Sequence, residues 1–126
     1  MRALGYLLVV CVIVGCSSGD AVGDGGCADV IAAAAERGVS GAWTFSATVR
    51  SADTGWEKYA DAWEVVGPGG AVLGIRELAH PHVDEQPFTR SLAGVEVPPG
   101  TVRVTLRARD SVSGFCGEEF VVELNR

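Results

Sequence analysis

The sequence carries no cluster of basic residues. Its 126 residues include 10 Lys and Arg against 16 Asp and Glu, which gives a formal net charge of −6. Nucleic-acid-binding proteins present a basic patch to the phosphate backbone, so this class is disfavoured. The 17 glycines follow no G-x-y period, which excludes collagen. With 48% hydrophobic residues the chain is too apolar for a disordered protein, and its length suits one domain.

The motifs of common enzymes are also missing. The chain contains no G-x-S-x-G, no phosphate-binding P-loop and no H-E-x-x-H. No cysteine is placed beside a histidine as an activated nucleophile. Asp53, Asp84 and Glu85 are the carboxylates available for glycoside hydrolysis, but so small a domain offers little cleft. We therefore expect no enzyme and no catalytic residue.

No apolar run near the N-terminus is long enough for a comfortable membrane span. Residues 3–14 (ALGYLLVVCVIV) form an apolar run of 12 residues after Arg2, whereas a span needs about 20. This length is typical of a signal peptide. The string that follows, Ile13-Val14-Gly15-Cys16, resembles the lipobox of bacterial lipoproteins. An ordinary secretory signal followed by a chance cysteine is the alternative.

The lipobox resemblance implies a processing route and a location. Residues 1–15 would be a lipoprotein signal peptide, cleaved before Cys16, and lipid such as palmitate would be attached to Cys16. The protein would then be exported and anchored to the bacterial cell membrane or outer membrane, with its domain on the non-cytoplasmic side. The membrane is the one partner that the sequence indicates.

The residues after Cys16 are too polar and too rich in glycine to build a core. Residues 17–26 read SSGDAVGDGG, so we expect 16–26 to hold the lipidated cysteine and a flexible tether. The domain then spans 27–126 and contains Cys27 and Cys116. Export permits a disulfide between them. Two free thiols or a metal pair are the alternatives, although two cysteines without a nearby histidine make a poor zinc site.

The domain reads as short strands separated by turns. Apolar and polar residues alternate, and Pro-Gly signals mark two turns, at 68–70 and 98–100. For the first segment we favour a strand over a short helix, although its four alanines favour the helix. The candidate strands are 29–37, 42–50, 61–67, 71–79, 88–97, 101–110 and 118–124. This spacing predicts an all-β, antiparallel β-sandwich of six or seven strands that resembles the immunoglobulin and fibronectin type III folds.

Antiparallel order brings alternate connections to the same end of such a sandwich. The connections 51–60, 80–87 and 111–117 should meet there, and we call this the loop end. Cys27 and Cys116 fall at the same end, which favours the disulfide. Loops on a rigid scaffold are where function concentrates. The candidate ligand-binding residues of the loop end are Asp53, Trp56, Tyr59, His80, His82, Asp84 and Glu85.

His80 and His82 flank Pro81, which keeps the segment extended, so both imidazoles can point the same way. Together with Asp84 or Glu85 they are candidate ligands for divalent copper, zinc or nickel, whereas Cu(I) is disfavoured because methionine and free thiols are lacking. The structural alternative, which we favour, has the imidazoles hydrogen-bonded to carboxylates such as Asp53. We therefore expect no resident cofactor.

The aromatic residues of the domain and the arginines of its sixth predicted strand can each be interpreted in two ways. Trp56, Tyr59 and Trp63 are expected to pack in the core, with Trp63 as the core tryptophan, and a carbohydrate or peptide platform is the alternative. Arginines 103, 107 and 109 share one strand face, where Glu119 and Glu123 of the next strand can pair with them. An anion-binding stripe is the alternative.

Residues 53–117 also carry longer strings: DTGWEKYAD, VLG-R, HPH-EQPFTRSL and RARD-GF-G. They resemble a family of small exported bacterial proteins of unassigned function. The resemblance implies the β-sandwich and no particular activity. The sequence thus indicates a lipid-anchored, exported β-sandwich that acts as a non-catalytic binding or envelope-associated module. The alternative is a periplasmic or surface protein that binds a divalent metal through His80 and His82.

Overall fold

A computed structural model describes residues 26–124. The predicted signal peptide at 1–15, the lipidated Cys16 and all of the tether except Gly26 lie outside the described residues. Within 26–124 there is no helix with the length and apolarity that a membrane crossing requires.

Seven strands and one short 3-10 turn make up the described part of the chain. The turn covers Pro68–Gly70 and joins the third and fourth strands. The strands are β1 (Asp29–Arg37), β2 (Trp43–Arg50), β3 (Ala60–Val66), β4 (Val72–Glu77), β5 (Phe88–Val95), β6 (Arg103–Asp110) and β7 (Phe120–Glu123). The prediction of a strand at 29–37 is confirmed, because Asp29–Arg37 pairs antiparallel with β2, with one irregularity in register between Val30 and Ala32. The predicted fourth to seventh strands extend up to two residues too far at one or both ends.

The strands form two antiparallel sheets, which confirms the predicted all-β sandwich. One sheet has the order β1-β2-β5 and the other has the order β4-β3-β6-β7. The core lies between them and contains alternate residues of each strand, such as Phe45, Ala47 and Val49 of β2. Trp63 of β3 is completely buried, as predicted.

The two sheets are joined at the loop end by a Cys27–Cys116 disulfide with a Cα–Cα distance of 5.4 Å. Cys27 precedes β1 of the first sheet, and Cys116 precedes β7 of the second sheet. Hydrogen bonds continue this junction, because the amide of Val30 donates to the Glu118 carbonyl oxygen at 2.9 Å. Gly117 permits the close approach, since a Cβ there would overlap the Ala28 carbonyl oxygen. The predicted disulfide and its place at the loop end are confirmed.

We expect the double variant Cys27→Ser, Cys116→Ser to lower the free energy of unfolding by about 4–5 kcal/mol, because the bridge closes a long loop in the unfolded chain. The two cysteines are 89 positions apart in sequence, so the loop that they close is most of the domain. Urea unfolding monitored by tryptophan fluorescence measures the change. A control with dithiothreitol added to the parent should reproduce the double variant. Equal unfolding midpoints for parent and variant would contradict the prediction.

Candidate functional site

Asp53 is the buried centre of the loop end. Its Oδ1 accepts hydrogen bonds from the Ser51 hydroxyl at 2.7 Å and from the Ala60 amide at 3.0 Å. Its Oδ2 accepts a hydrogen bond from the His82 amide at 2.9 Å. One carboxylate therefore closes the 51–60 connection on itself and fastens the 80–87 connection to it. Asp53 is a structural acceptor here, with its lone pairs used inside the protein.

Gln86 makes the second link between the same two connections. Its Oε1 accepts a hydrogen bond from the Ser51 amide at 2.9 Å, and its Nε2 donates to the His82 carbonyl oxygen at 2.8 Å. The peptide bond between Gln86 and Pro87 is cis. Sequence reasoning did not single out Gln86, although it stands in the HPH-EQPFTRSL string that carries the family resemblance.

The imidazole of His82 is buried between an aromatic ring and a guanidinium. It stacks on Phe88 with ring centroids 3.8 Å apart and an interplanar angle of 9°, and its Nε2 lies 3.0 Å from Arg90 Nη2. A guanidinium has no acceptor, so Nε2 accepts and the neutral ring carries its proton on Nδ1. Nδ1 is buried and has no hydrogen-bond partner among the described residues.

This environment favours the neutral form of His82. Burial lowers the pKa of His82, and the charges of Arg90 and His80 lower it further, against smaller opposing effects of Glu85 and Asp53. Glu85 is exposed and lies 3.4 Å from Arg90 Nη2. His82 is thus a buried, neutral hydrogen-bond acceptor. The expectation that the imidazoles bond to carboxylates such as Asp53 is therefore wrong for His82. It is the backbone amide of His82 that bonds to Asp53.

His80 lies above His82 and faces solvent. The two ring centroids are 4.6 Å apart, and His80 Nδ1 is 2.9 Å from the carbonyl oxygen of Pro81. The two imidazoles are therefore adjacent, as predicted. However, the described residues contain no group of three or more His, Cys, Asp or Glu side chains placed to hold a metal ion. Binding of divalent copper or zinc by His80 and His82 stays a prediction from the sequence.

A second polar network fixes the third connection and the start of the domain. Lys58 Nζ lies 2.6 Å from Asp110 Oδ1 and donates to the carbonyl oxygen of Gly26 at 3.0 Å. Asp110 Oδ2 accepts hydrogen bonds from the amides of Val112 and Ser113. Burial alone would raise the pKa of Asp110, but the bonds from Lys58 and these amides outweigh it and lower the pKa. Lys58 was missed by sequence reasoning, because nothing local to it reveals a partner 52 positions away.

The remaining predicted site residues lie outside the two networks. Trp56 is 67% exposed and meets half-buried Tyr59 edge-on, with ring centroids 5.6 Å apart. The core prediction is therefore wrong for Trp56, because its tight turn between Gly55 and Lys58 points away from the sandwich. Asp84 is exposed on the 80–87 connection.

The arginines of β6 form ion pairs across the outer face of the four-stranded sheet. Arg103 pairs with Glu123 of β7 at 3.3 Å, as predicted. Arg107 and Arg109 pair instead with β3, with Glu64 at 3.0 Å and Asp61 at 2.7 Å. The predicted pairing with β7 is wrong for these two, because β7 pairs only with residues 103–106 of β6, whereas β3 pairs with residues 105–110.

Comparison with known proteins gives one informative similarity. The chain is 44% identical over 79 residues to a protein of Halomicrobium mukohataei described as "Putative lipoprotein". These residues are 63% of this chain and 38% of that relative, so the chain matches well under half of the relative's length. No protein-family model and no solved structure matches the chain.

Replacing Asp53 with alanine should destabilise the domain by at least about 2 kcal/mol, since it leaves buried donors without an acceptor at about 1–3 kcal/mol each. Asp84→Ala, which removes an exposed carboxylate from the neighbouring connection, is the matched control and should be nearly neutral. Chemical denaturation of both variants measures the difference. Equal losses for Asp53→Ala and Asp84→Ala would show that Asp53 has no structural role.

The lowered pKa of His82 predicts a loss of stability in mild acid. Above the unfolded-state pKa of 6.5 the ring is neutral in both the folded and the unfolded state, so protonation of His82 does not reduce the free energy of unfolding. As the pH falls below 6.5 the unfolded chain takes up the proton first, and stability declines towards the lower folded-state pKa. His82→Gln, which keeps an acceptor for Arg90, should have a flatter profile of melting temperature between pH 7.5 and pH 5. His80→Gln, at the exposed ring, should retain the parent slope, and a parent profile that is already flat would refute the prediction.

Proposed function

We propose that this chain is a lipid-anchored, exported β-sandwich that acts as a non-catalytic binding or envelope-associated module. The sequence supplies the lipobox-like string ending at Cys16, and the similarity to a protein described as a lipoprotein agrees with it. The Cys27–Cys116 disulfide supports export, because such bonds persist in oxidising compartments.

The geometry of the loop end supports a non-catalytic role. The two buried carboxylates of the loop end are occupied by internal donors, because Asp53 accepts three hydrogen bonds and Asp110 pairs with Lys58. The buried imidazole of His82 accepts from Arg90. A general acid or base must reach a proton of the substrate, and these groups are turned towards one another instead. The occupation of Asp53, Asp110 and His82 Nε2 by internal hydrogen-bond donors is the observation that carries the proposal.

We expect Cys16→Ala to abolish attachment of lipid and to leave the uncleaved precursor, because the thiol that receives the lipid is removed. Cys11→Ala is the matched control, since Cys11 lies inside the apolar run at 3–14 and should be dispensable. Incorporation of labelled palmitate and partition into detergent measure the result in cells that express each variant. Equal labelling of parent and Cys16→Ala would overturn the lipid anchor.

A further inference from the structure

Each connection of the loop end exposes one large apolar side chain. Trp56 on 51–60 is 67% exposed, Val83 on 80–87 is 52% exposed, and Val112 on 111–117 is 67% exposed. Apolar groups of this size that remain in water favour a covering surface. They lie on the three connections that the Asp53 and Lys58 networks link, so the same end of the domain combines an internal polar network with exposed apolar side chains.

Trp56 and Val112 are held by fixed turns. The turn around Trp56 is closed by the Thr54 amide, which donates to the Lys58 carbonyl oxygen at 3.0 Å. The turn around Val112 is closed on Asp110 by hydrogen bonds in both directions to Gly114. Side chains presented by such turns lose little conformational entropy when a surface covers them. The loop end is therefore prepared to dock without rearrangement.

The chain enters the domain at this same end. Lys58, two residues from Trp56, donates to the carbonyl oxygen of Gly26, and the ten residues 17–26 separate Cys16 from Cys27. From Cys16 to Gly26 the chain can span at most about 36 Å even when fully extended. β1 then runs away from this end for nine residues, so the opposite end of the sandwich lies about 30 Å from the point where the chain enters the domain.

We propose that the loop end rests on the lipid bilayer that holds the protein's own anchor, with Trp56, Val83 and Val112 in the interfacial layer. This inference depends on the proposed lipid anchor at Cys16. Tryptophan favours the membrane–water interface, because its ring is apolar and its N–H can meet a headgroup. The anchor raises the effective concentration of the loop end at the bilayer, so a contact made by a few side chains suffices.

The charges of the loop end define the kind of lipid surface. Glu57 and Asp84 are exposed beside the apolar residues, whereas Arg90 is paired with exposed Glu85 and Lys58 with Asp110. An acidic rim is repelled by anionic lipids at low salt. The surface that fits is one of zwitterionic headgroups, which carry no net charge.

The three tryptophans make the contact measurable. Trp43 is 2% exposed and Trp63 is fully buried, so Trp56 is the one of the three that lipid can reach. The full-length lipidated protein is reconstituted in phosphatidylcholine vesicles with and without brominated acyl chains, which quench tryptophans in contact with them. We expect an about twofold loss of the Trp56 emission with brominated lipid, and Trp56→Phe should remove the quenchable component. Adding phosphatidylglycerol at low salt should weaken the quenching.

Two valine variants test the orientation. Val112→Ser at the loop end should reduce the quenching of Trp56, whereas Val39→Ser should leave it unchanged. Val39 is fully exposed in the turn between β1 and β2, at the opposite end of the sandwich, and is the matched control. Equal effects of the two variants, or a Trp56 emission that brominated lipid leaves intact in protein that floats with the vesicles, would overturn the docking alone. Protein that fails to float with the vesicles would overturn the lipid anchor and the docking together.

Discussion

The Cys27–Cys116 disulfide is the constraint on which the loop end depends, because it joins the two sheets where the chain enters the domain. β1 belongs to one sheet and β7 to the other, and hydrogen bonds from Val30 and Glu118 continue the junction. The 111–117 connection is thereby held against the first residues of the domain. Gly26, whose carbonyl oxygen accepts a hydrogen bond from Lys58, is consequently held at this same end of the sandwich.

Around that junction, buried charges act as structural acceptors. Asp53 organises two connections through three donors, and Asp110 organises the third through Lys58 and two backbone amides. Burying a carboxylate is unfavourable unless its oxygens are hydrogen-bonded, and here each is. The buried carboxylates of the loop end are thus used to shape its loops, whereas His80, Asp84 and the apolar side chains Trp56, Val83 and Val112 are exposed.

His82 illustrates how the same residue type supports two different interpretations. A histidine pair separated by one proline is a reasonable metal motif in a sequence. In the folded domain one imidazole is stacked on Phe88 and accepts from Arg90, while the other faces solvent. Pairing with a guanidinium and burial both favour the neutral ring, so this histidine stabilises the domain by being uncharged.

The sequence by itself determined the strand pattern, the antiparallel sandwich, the core position of Trp63 and the end at which Cys27 and Cys116 meet. Strand alternation and turn residues are local signals, and the order of antiparallel strands then assigns each connection to an end. Only the tertiary structure decided which polar groups pair: Lys58 with Asp110, Arg90 with His82, and Arg107 and Arg109 with β3 instead of β7. It also decided that Trp56, in the connection before β3, is exposed, whereas Trp63 within β3 is buried. These outcomes depend on which strands are neighbours and on the direction of individual turns. Both are determined by contacts between residues distant in sequence, so no local pattern predicts them.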